Sequence, residues 1–114
     1  MQKKILITGN QNTGKTEKAK LMSIGKSMVI SASSFNEDIK FFDDSISTII
    51  LDEVVFKRDF DIVKSLISKE TIKFRKPYES KSKEYEIPNV IICTQENGEI
   101  ILDSLPYFNE VVEL

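Results

Sequence analysis

Gly9-Asn10-Gln11-Asn12-Thr13-Gly14-Lys15-Thr16 is the stretch that decides the fold. It satisfies the pattern G-x-x-x-x-G-K-[ST] at every defined position. The glycines let the backbone wrap closely and aim successive N–H groups at one point, making a nest for an anion. A helix opening near Lys15 adds the positive end of its dipole. In this pattern Gly9, Asn12, Thr13, Gly14, Lys15 and Thr16 cradle the phosphates of a nucleoside triphosphate such as ATP. The Lys15 ammonium neutralises the β- and γ-phosphates, and the Thr16 hydroxyl ligates Mg2+. The flanks supply the context that such a loop needs. Lys4–Thr8 reads as a buried strand running into the turn Gly9-Asn10, and Lys15–Ser23 reads as a helix stopped by Ile24-Gly25.

Thr48-Ile49-Ile50-Leu51-Asp52-Glu53 lies 36 residues beyond Thr16 and is an apolar strand ending in two acids. Two acids after a buried strand are commonplace, but a triphosphate grip upstream needs a partner for its metal. Asp52 is therefore the expected Mg2+ anchor, usually through water. Glu53 is the expected carboxylate that polarises the water attacking the γ-phosphate. This is the Walker B arrangement, paired with Walker A at Gly9–Thr16.

The rest of the chain alternates strands with helices. Ser27–Ser31 suits a strand. Ser34-Phe35-Asn36-Glu37 has the form of a capping box opening a short helix through Phe42. A strand is expected over Ser47–Leu51. From Asp59 to Ser68, Phe60, Val63 and Ile67 recur at helical spacing. Thr71–Arg75 and Lys83–Ile87 flank a polar loop as a hairpin. Val90–Thr94 reads as another buried strand, Asn97-Gly98 as a turn, and Glu110–Leu114 as a last short strand. Continuously apolar strands alternating with helices predict an α/β fold. The expected form is a three-layer P-loop NTPase with a central, mainly parallel sheet and an inserted β-hairpin, in a single domain over residues 1–114.

Composition narrows the chemistry. With no histidine, imidazole bases, catalytic triads and nearly all zinc sites are excluded. The single cysteine, Cys93, sits in an apolar run and reads as a buried core thiol. No apolar run approaches the roughly 20 residues of a membrane span. Met1-Gln2-Lys3-Lys4 leads straight into a strand without signal-peptide character, so a cytoplasmic protein with no membrane partner is expected. The net charge of −2 carries no global signature of nucleic-acid binding. Between Ile72 and Lys83, however, Lys73, Arg75, Lys76, Lys81 and Lys83 face only Glu79.

The order of these features resembles the AAA+ ATPase core, and within it the superfamily-3 helicases of small viruses and plasmids. The shared order is the Gly9–Thr16 loop, Asp52-Glu53, a basic hairpin, then Asn89-Val90-Ile91-Ile92-Cys93-Thr94-Gln95. In that family the last strand ends in a polar sensor residue, commonly Asn, and Gln95 occupies the place here. The preceding hairpin projects into the channel of a hexameric ring and touches DNA. The resemblance thus implies single-stranded DNA or RNA contact through Lys76, Tyr78, Lys81 and Lys83, and a homo-oligomeric ring in ATP. The same lysines also suit a solvated edge hairpin that charge protects from aggregation.

One departure bears on rate. The family usually places an arginine finger just before the last strand, yet Ser104-Leu105-Pro106-Tyr107-Phe108-Asn109 has none, and Arg58 and Arg75 are the only arginines. Neither a helical lid nor a separate origin-binding domain follows in these 114 residues. Hydrolysis that is slow, or completed by a partner, is the expectation. The leading reading is a helicase-like ATPase with DNA-replication character. The alternative is a non-motor nucleotide switch or degenerate ATPase that regulates a protein. A small P-loop kinase fits less well, because such lids usually supply several arginines.

Overall fold

The computed structural model describes the backbone of residues 2–114, and every side chain there except that of Ile100. Met1, where the expected domain begins, lies outside them. In chain order the elements are β1 (Lys4–Thr8), α1 (Lys15–Met22), β2 (Ser27–Ser31), α2 (Phe35–Asp38), β3 (Thr48–Val54) and α3 (Phe56–Ser68). They continue with β4 (Thr71–Phe74), β5 (Lys83–Glu86), β6 (Asn89–Thr94), α4 (Gly98–Ser104) and β7 (Glu110–Glu113). Short 3₁₀ turns over Ala32–Ser34 and Ile39–Phe41 flank α2.

Five strands form one sheet in the order β2-β3-β6-β1-β7, and every pairing in it is parallel. The period-2 alternation of strand side chains explains why these runs are apolar throughout. Leu6, Ile49, Leu51, Val90 and Ile92 point to one face, into a cluster with Phe35, Val63, Leu66, Ile67, Phe74 and Ile101. Ile5, Ile7, Ile50, Ile91 and Cys93 point to the other, against Ala19 and Met22 of α1. Both faces are covered, so successive residues of the central strands all need burial. Each fully buried Ile or Leu contributes roughly 1.5–3 kcal/mol. No helix among the described residues is long and apolar enough to cross a membrane.

β4 and β5 form a separate antiparallel pair, with Ile72 opposite Tyr85 and Phe74 opposite Lys83. Its strands are anchored by aromatic rings. Phe74 stacks on Tyr85 at 4.4 Å between centroids, and both meet Phe42 edge-on.

Several elements depart from the sequence expectations. The strand expected to end at Leu51 runs on to Val54, because pairing resumes at Val54 with Thr94 after a bulge that carries Asp52 and Glu53. The helix expected from Asp59 begins at Phe56. Asp59 reaches back to accept the Val55 N–H at 2.8 Å, and the Glu96 carboxylate accepts the Phe56 N–H at 3.2 Å. Those acceptors serve end groups that a helix otherwise leaves unpaired.

The Ser34 capping box does not form. Ser34 closes a 3₁₀ turn at φ −115, ψ 19, outside the extended conformation of a capping residue. Its hydroxyl donates to the Ser31 carbonyl and to Asp38 instead, and the segment through Phe42 is broken into three short turns of helix. Asn97-Gly98, expected as a turn, begins α4: the Asn97 side chain accepts the Glu99 N–H at 2.8 Å. Asn serves turns and helix caps alike, and the burial of Ile101 and Leu105, four residues apart, favours the helix.

Candidate functional site

Parallel strands place their carboxyl ends on one edge, and there the expected residues meet. β6 lies between β1, which leads into the Gly9–Thr16 loop, and β3, which carries the acids. Thr94 ties the three ends together. Its carbonyl accepts the Gly9 N–H at 3.3 Å, and its hydroxyl donates to the Val54 carbonyl at 2.8 Å. A cleft of about 720 Å³ opens above them, lined by Asn12–Glu17, Asp52, Glu53, Arg58 and Gln95 among others. That volume suits a small-molecule ligand.

The loop's glycines have distinct reasons. A Cβ on Gly9 would lie 2.8 Å from Thr13 Oγ1 and 2.9 Å from the Leu114 carbonyl oxygen, so the close approach requires glycine. Gly14 sits at φ 80 as the residue capping α1, and Asn12 at φ 64 is also left-handed. Alternating handedness along a short loop turns its N–H groups to one side. Thr13 Oγ1 donates to the Asn10 carbonyl at 2.8 Å, bracing the bend. Lys15 Nζ spans the loop, donating to the carbonyls of Gly9 at 3.0 Å and Asn10 at 2.7 Å. The ammonium is thereby stored at the loop, within a lysine's reach of any anion in it.

Thr16 and Asp52, distant in sequence, are in direct contact: Thr16 Oγ1 donates to Asp52 Oδ2 at 2.8 Å. Two neighbouring oxygen ligands around an octahedral Mg2+, each at about 2.0–2.1 Å, are separated by about that distance. Hard oxygen donors of this kind fit the ion. Among the described residues no group of three or more Asp, Glu, Cys or His could hold a metal by itself. A cation placed here would take its remaining ligands from phosphate and water.

Glu53 occupies an unusual backbone position. It sits in the bulge at φ 55, with its N–H donating to Asp52 Oδ1 at 2.9 Å. A left-handed residue other than glycine costs on the order of 1–3 kcal/mol and persists only where its surroundings hold it. The bulge takes the Glu53 side chain out of the alternation and leaves it exposed at the cleft. Its carboxylate lies 3.5 Å from the Ser31 hydroxyl. Gln95, just past the end of β6, is exposed and lines the same cleft.

Arg58 is the residue that sequence reasoning passed over. It lies in the first turn of α3 and lines the cleft, half-exposed at 51%. Nε donates to Asp59 Oδ1 at 2.8 Å and Nη2 to Asp59 Oδ2 at 2.9 Å, a two-pronged fork on a buried carboxylate. Nη2 also donates to the Glu53 carbonyl at 3.3 Å. The fork holds the Asp59 carboxyl below its ordinary range, against the opposing effect of burial. The signal was an arginine six positions beyond Asp52, obscured because the helix was expected to start at Asp59.

The hairpin residues are placed unequally. Tyr78 stands at the tip, 99% exposed, and Lys81 is exposed near it. Lys76 Nζ instead lies 5.2 Å from the Tyr85 ring centroid, and Lys83 Nζ is 3.2 Å from Glu79 Oε2. None of the four lines the cleft.

No known protein family matches the chain, and no curated protein does. Solved structures match it in shape. The C-terminal region of NrS-1, in its A-form apo structure, aligns with a TM-score of 0.64 and 24% identity over 97% of this chain and 28% of its own. JCV helicase, solved with a bound thiazolopyridine compound, aligns with a TM-score of 0.61 and 15% identity over 98% of this chain and 35% of its own. The chain has the fold of part of a helicase. It spans about a third or less of the structures it matches.

Proposed function

We propose that the cleft binds ATP with Mg2+, and that the chain is a helicase-like ATPase of the AAA+ class, resembling superfamily 3. In this reading a three-layer P-loop domain couples hydrolysis to nucleic-acid contact through its hairpin. The observation that carries the reading is the 2.8 Å contact between Thr16 Oγ1 and Asp52 Oδ2 beside the Gly9–Thr16 loop. It joins the two residues whose pattern calls for a shared metal, across a strand that neither belongs to.

Each residue has a separable task. The loop N–H groups and the start of α1 bind phosphate oxygens. Lys15 exchanges its two carbonyl partners for the β- and γ-phosphates. Thr16 and Asp52 would hold the cation, which would offset phosphate charge. Glu53, one residue on, orients the attacking water and draws its proton. Gln95 lies between the loop and the acids, the place from which an amide meets the γ-phosphate. At the hairpin, Tyr78 stacks on a base and Lys81 meets phosphate, with Lys76 and Lys83 joining when their present partners are exchanged. A ring of copies in ATP would bring several hairpins to one strand.

One observation favours a second reading, a nucleotide switch that binds without driving movement. Lys76 and Lys83 already have partners within the hairpin, as expected of a protected edge. ATP turnover measured with and without single-stranded DNA, together with particle size in ATP, separates the two. The motor reading expects DNA-stimulated hydrolysis and a larger ATP-dependent species. Binding without turnover selects the switch, and no ATP binding overturns both.

A further inference from the structure

Arg58 and Asp59 close a short loop of contacts around the one strained residue among the candidate site's acids. Glu53 is left-handed at φ 55. The Glu53 carbonyl accepts from Arg58 Nη2, and the Val55 N–H donates to Asp59 Oδ2. The two groups therefore grip the backbone on both sides of Val54. Asp59 is 3% exposed and fixed at the start of α3, so the guanidinium it forks is fixed with it. An exposed ion pair has little reason to be ordered. One forked on a buried carboxylate is held in a defined place.

We propose that the Arg58–Asp59 pair is a latch that holds Glu53 in its left-handed conformation. Arg58 is then a positioning residue for the Glu53 carboxylate, acting through the backbone, and not a ligand of the nucleotide phosphates. The role of Glu53 in this inference rests on the reading proposed above. The conformational part does not. Without the latch, the bulge relaxes toward an ordinary extended backbone, and a side chain in the alternation of β3 leaves the cleft mouth.

Lysine cannot replace arginine here, because a single ammonium lacks the planar fork that engages Asp59 and the Glu53 carbonyl together. Displacing a reacting group by about 1 Å costs on the order of 10²-fold in rate. Arg58→Ala and Arg58→Lys should each lower kcat by roughly ten- to a hundredfold, with ATP affinity within about twofold of wild type. A phosphate-contacting arginine would weaken binding instead.

The test has two arms. NMR couplings and carbon shifts report the backbone conformation of residue 53 in wild type, Arg58→Lys, Arg58→Ala and Asp59→Asn. Wild type should be left-handed and the variants shifted to negative φ. Arg58 is half-exposed, so its variants should fold, and Arg58→Lys keeps the charge and aliphatic stem if Arg58→Ala does not. The second arm compares kcat for Arg58→Ala alone and in a Glu53→Gln background. A residue acting through Glu53 adds no further loss there. Glu53 remaining left-handed in the variants, or a full additional loss in the double variant, overturns the latch. Absence of hydrolysis in wild type contradicts the ATPase reading, while the NMR arm still decides the latch.

Discussion

The cleft and the hairpin are both built around charged side chains, yet they are held in opposite ways. In the cleft four side chains central to the site are each fixed by another group: Thr16 by Asp52, Thr13 by Asn10, Lys15 by Gly9 and Asn10, Arg58 by Asp59. In the hairpin the order lies in the paired strands, where Phe74 and Tyr85 pack with Phe42, and it thins to a fully exposed Tyr78 in the loop at the tip. A site that positions reacting atoms needs fixed side chains. A surface that follows a flexible phosphate backbone does not, because point charges bind it without reading sequence. Under the function proposed above, the contrast is that between a catalytic pocket and a sequence-tolerant contact arm.

The largest effect should come from the cleft's exposed carboxylate. Glu53→Gln should keep ATP binding and lose about 10²–10⁴-fold in hydrolysis, the usual contribution of general base assistance. Single-turnover kinetics beside calorimetry would show the split. Loss of ATP affinity in the same variant would mean that Glu53 belongs to the binding set.

At the hairpin the largest effect should be on stability. Phe74→Ala removes a buried ring with two aromatic partners and should cost about 3 kcal/mol, read by denaturant unfolding. Tyr78→Ala at the tip should stay within about 0.5 kcal/mol of wild type. Equal costs at both positions would erase the distinction between anchored strands and free tip.

Lys15→Ala comes next. It should lower ATP affinity at least tenfold, about 1.4 kcal/mol, and leave the fold intact. The hairpin's counterpart is smaller and depends on salt. Replacing Lys76, Lys81 and Lys83 with Ala should flatten the logarithmic salt dependence of single-stranded DNA binding. The slope should fall by roughly 0.7 for each phosphate that a lysine no longer neutralises. Lys81 should contribute most, since the other two have partners. DNA affinity measured against salt, with ATP present, checks this.

Cys93 offers the mildest test. Burial, and secondarily the Asp52 carboxylate, push its thiol from 9.0 up to about 12. Native protein at pH 8 should resist alkylation, and the unfolded chain should not. Between pH 9 and about 12 the unfolded state releases the thiol proton and the native state retains it. Stability should therefore fall as pH rises through that window.

How much of this was legible in the sequence follows from the range of the forces involved. Lys4–Thr8 appears as expected because a strand buried on both faces demands an uninterrupted apolar run, and Ser27–Ser31 appears with its expected bounds as a partly exposed edge strand. The Gly9–Thr16 loop was readable because its defined positions fall within eight consecutive residues as one pattern. The register that joins Thr16 to Asp52 was foreseeable only as a chemical need. The parts that escaped depend on contacts between distant segments. Glu96 and Asp59 start α3 early, and no local rule marks Val55 as a cap. The bulge at Glu53 lies where pairing resumes between Val54 and Thr94, forty residues apart, and no local rule marks that place. Arg58 entered the site through the early start of α3.

The central claim is that Thr16 and Asp52 form one half of a magnesium site completed by a nucleotide. Calorimetric titration of ATP into wild type and Asp52→Asn, each with Mg2+ and with chelator, tests it most directly. Magnesium should strengthen ATP binding to wild type at least tenfold, about 1.4 kcal/mol, and should give Asp52→Asn little or none of that gain. Equal magnesium gains in both proteins, or no magnesium effect in wild type, would contradict the account.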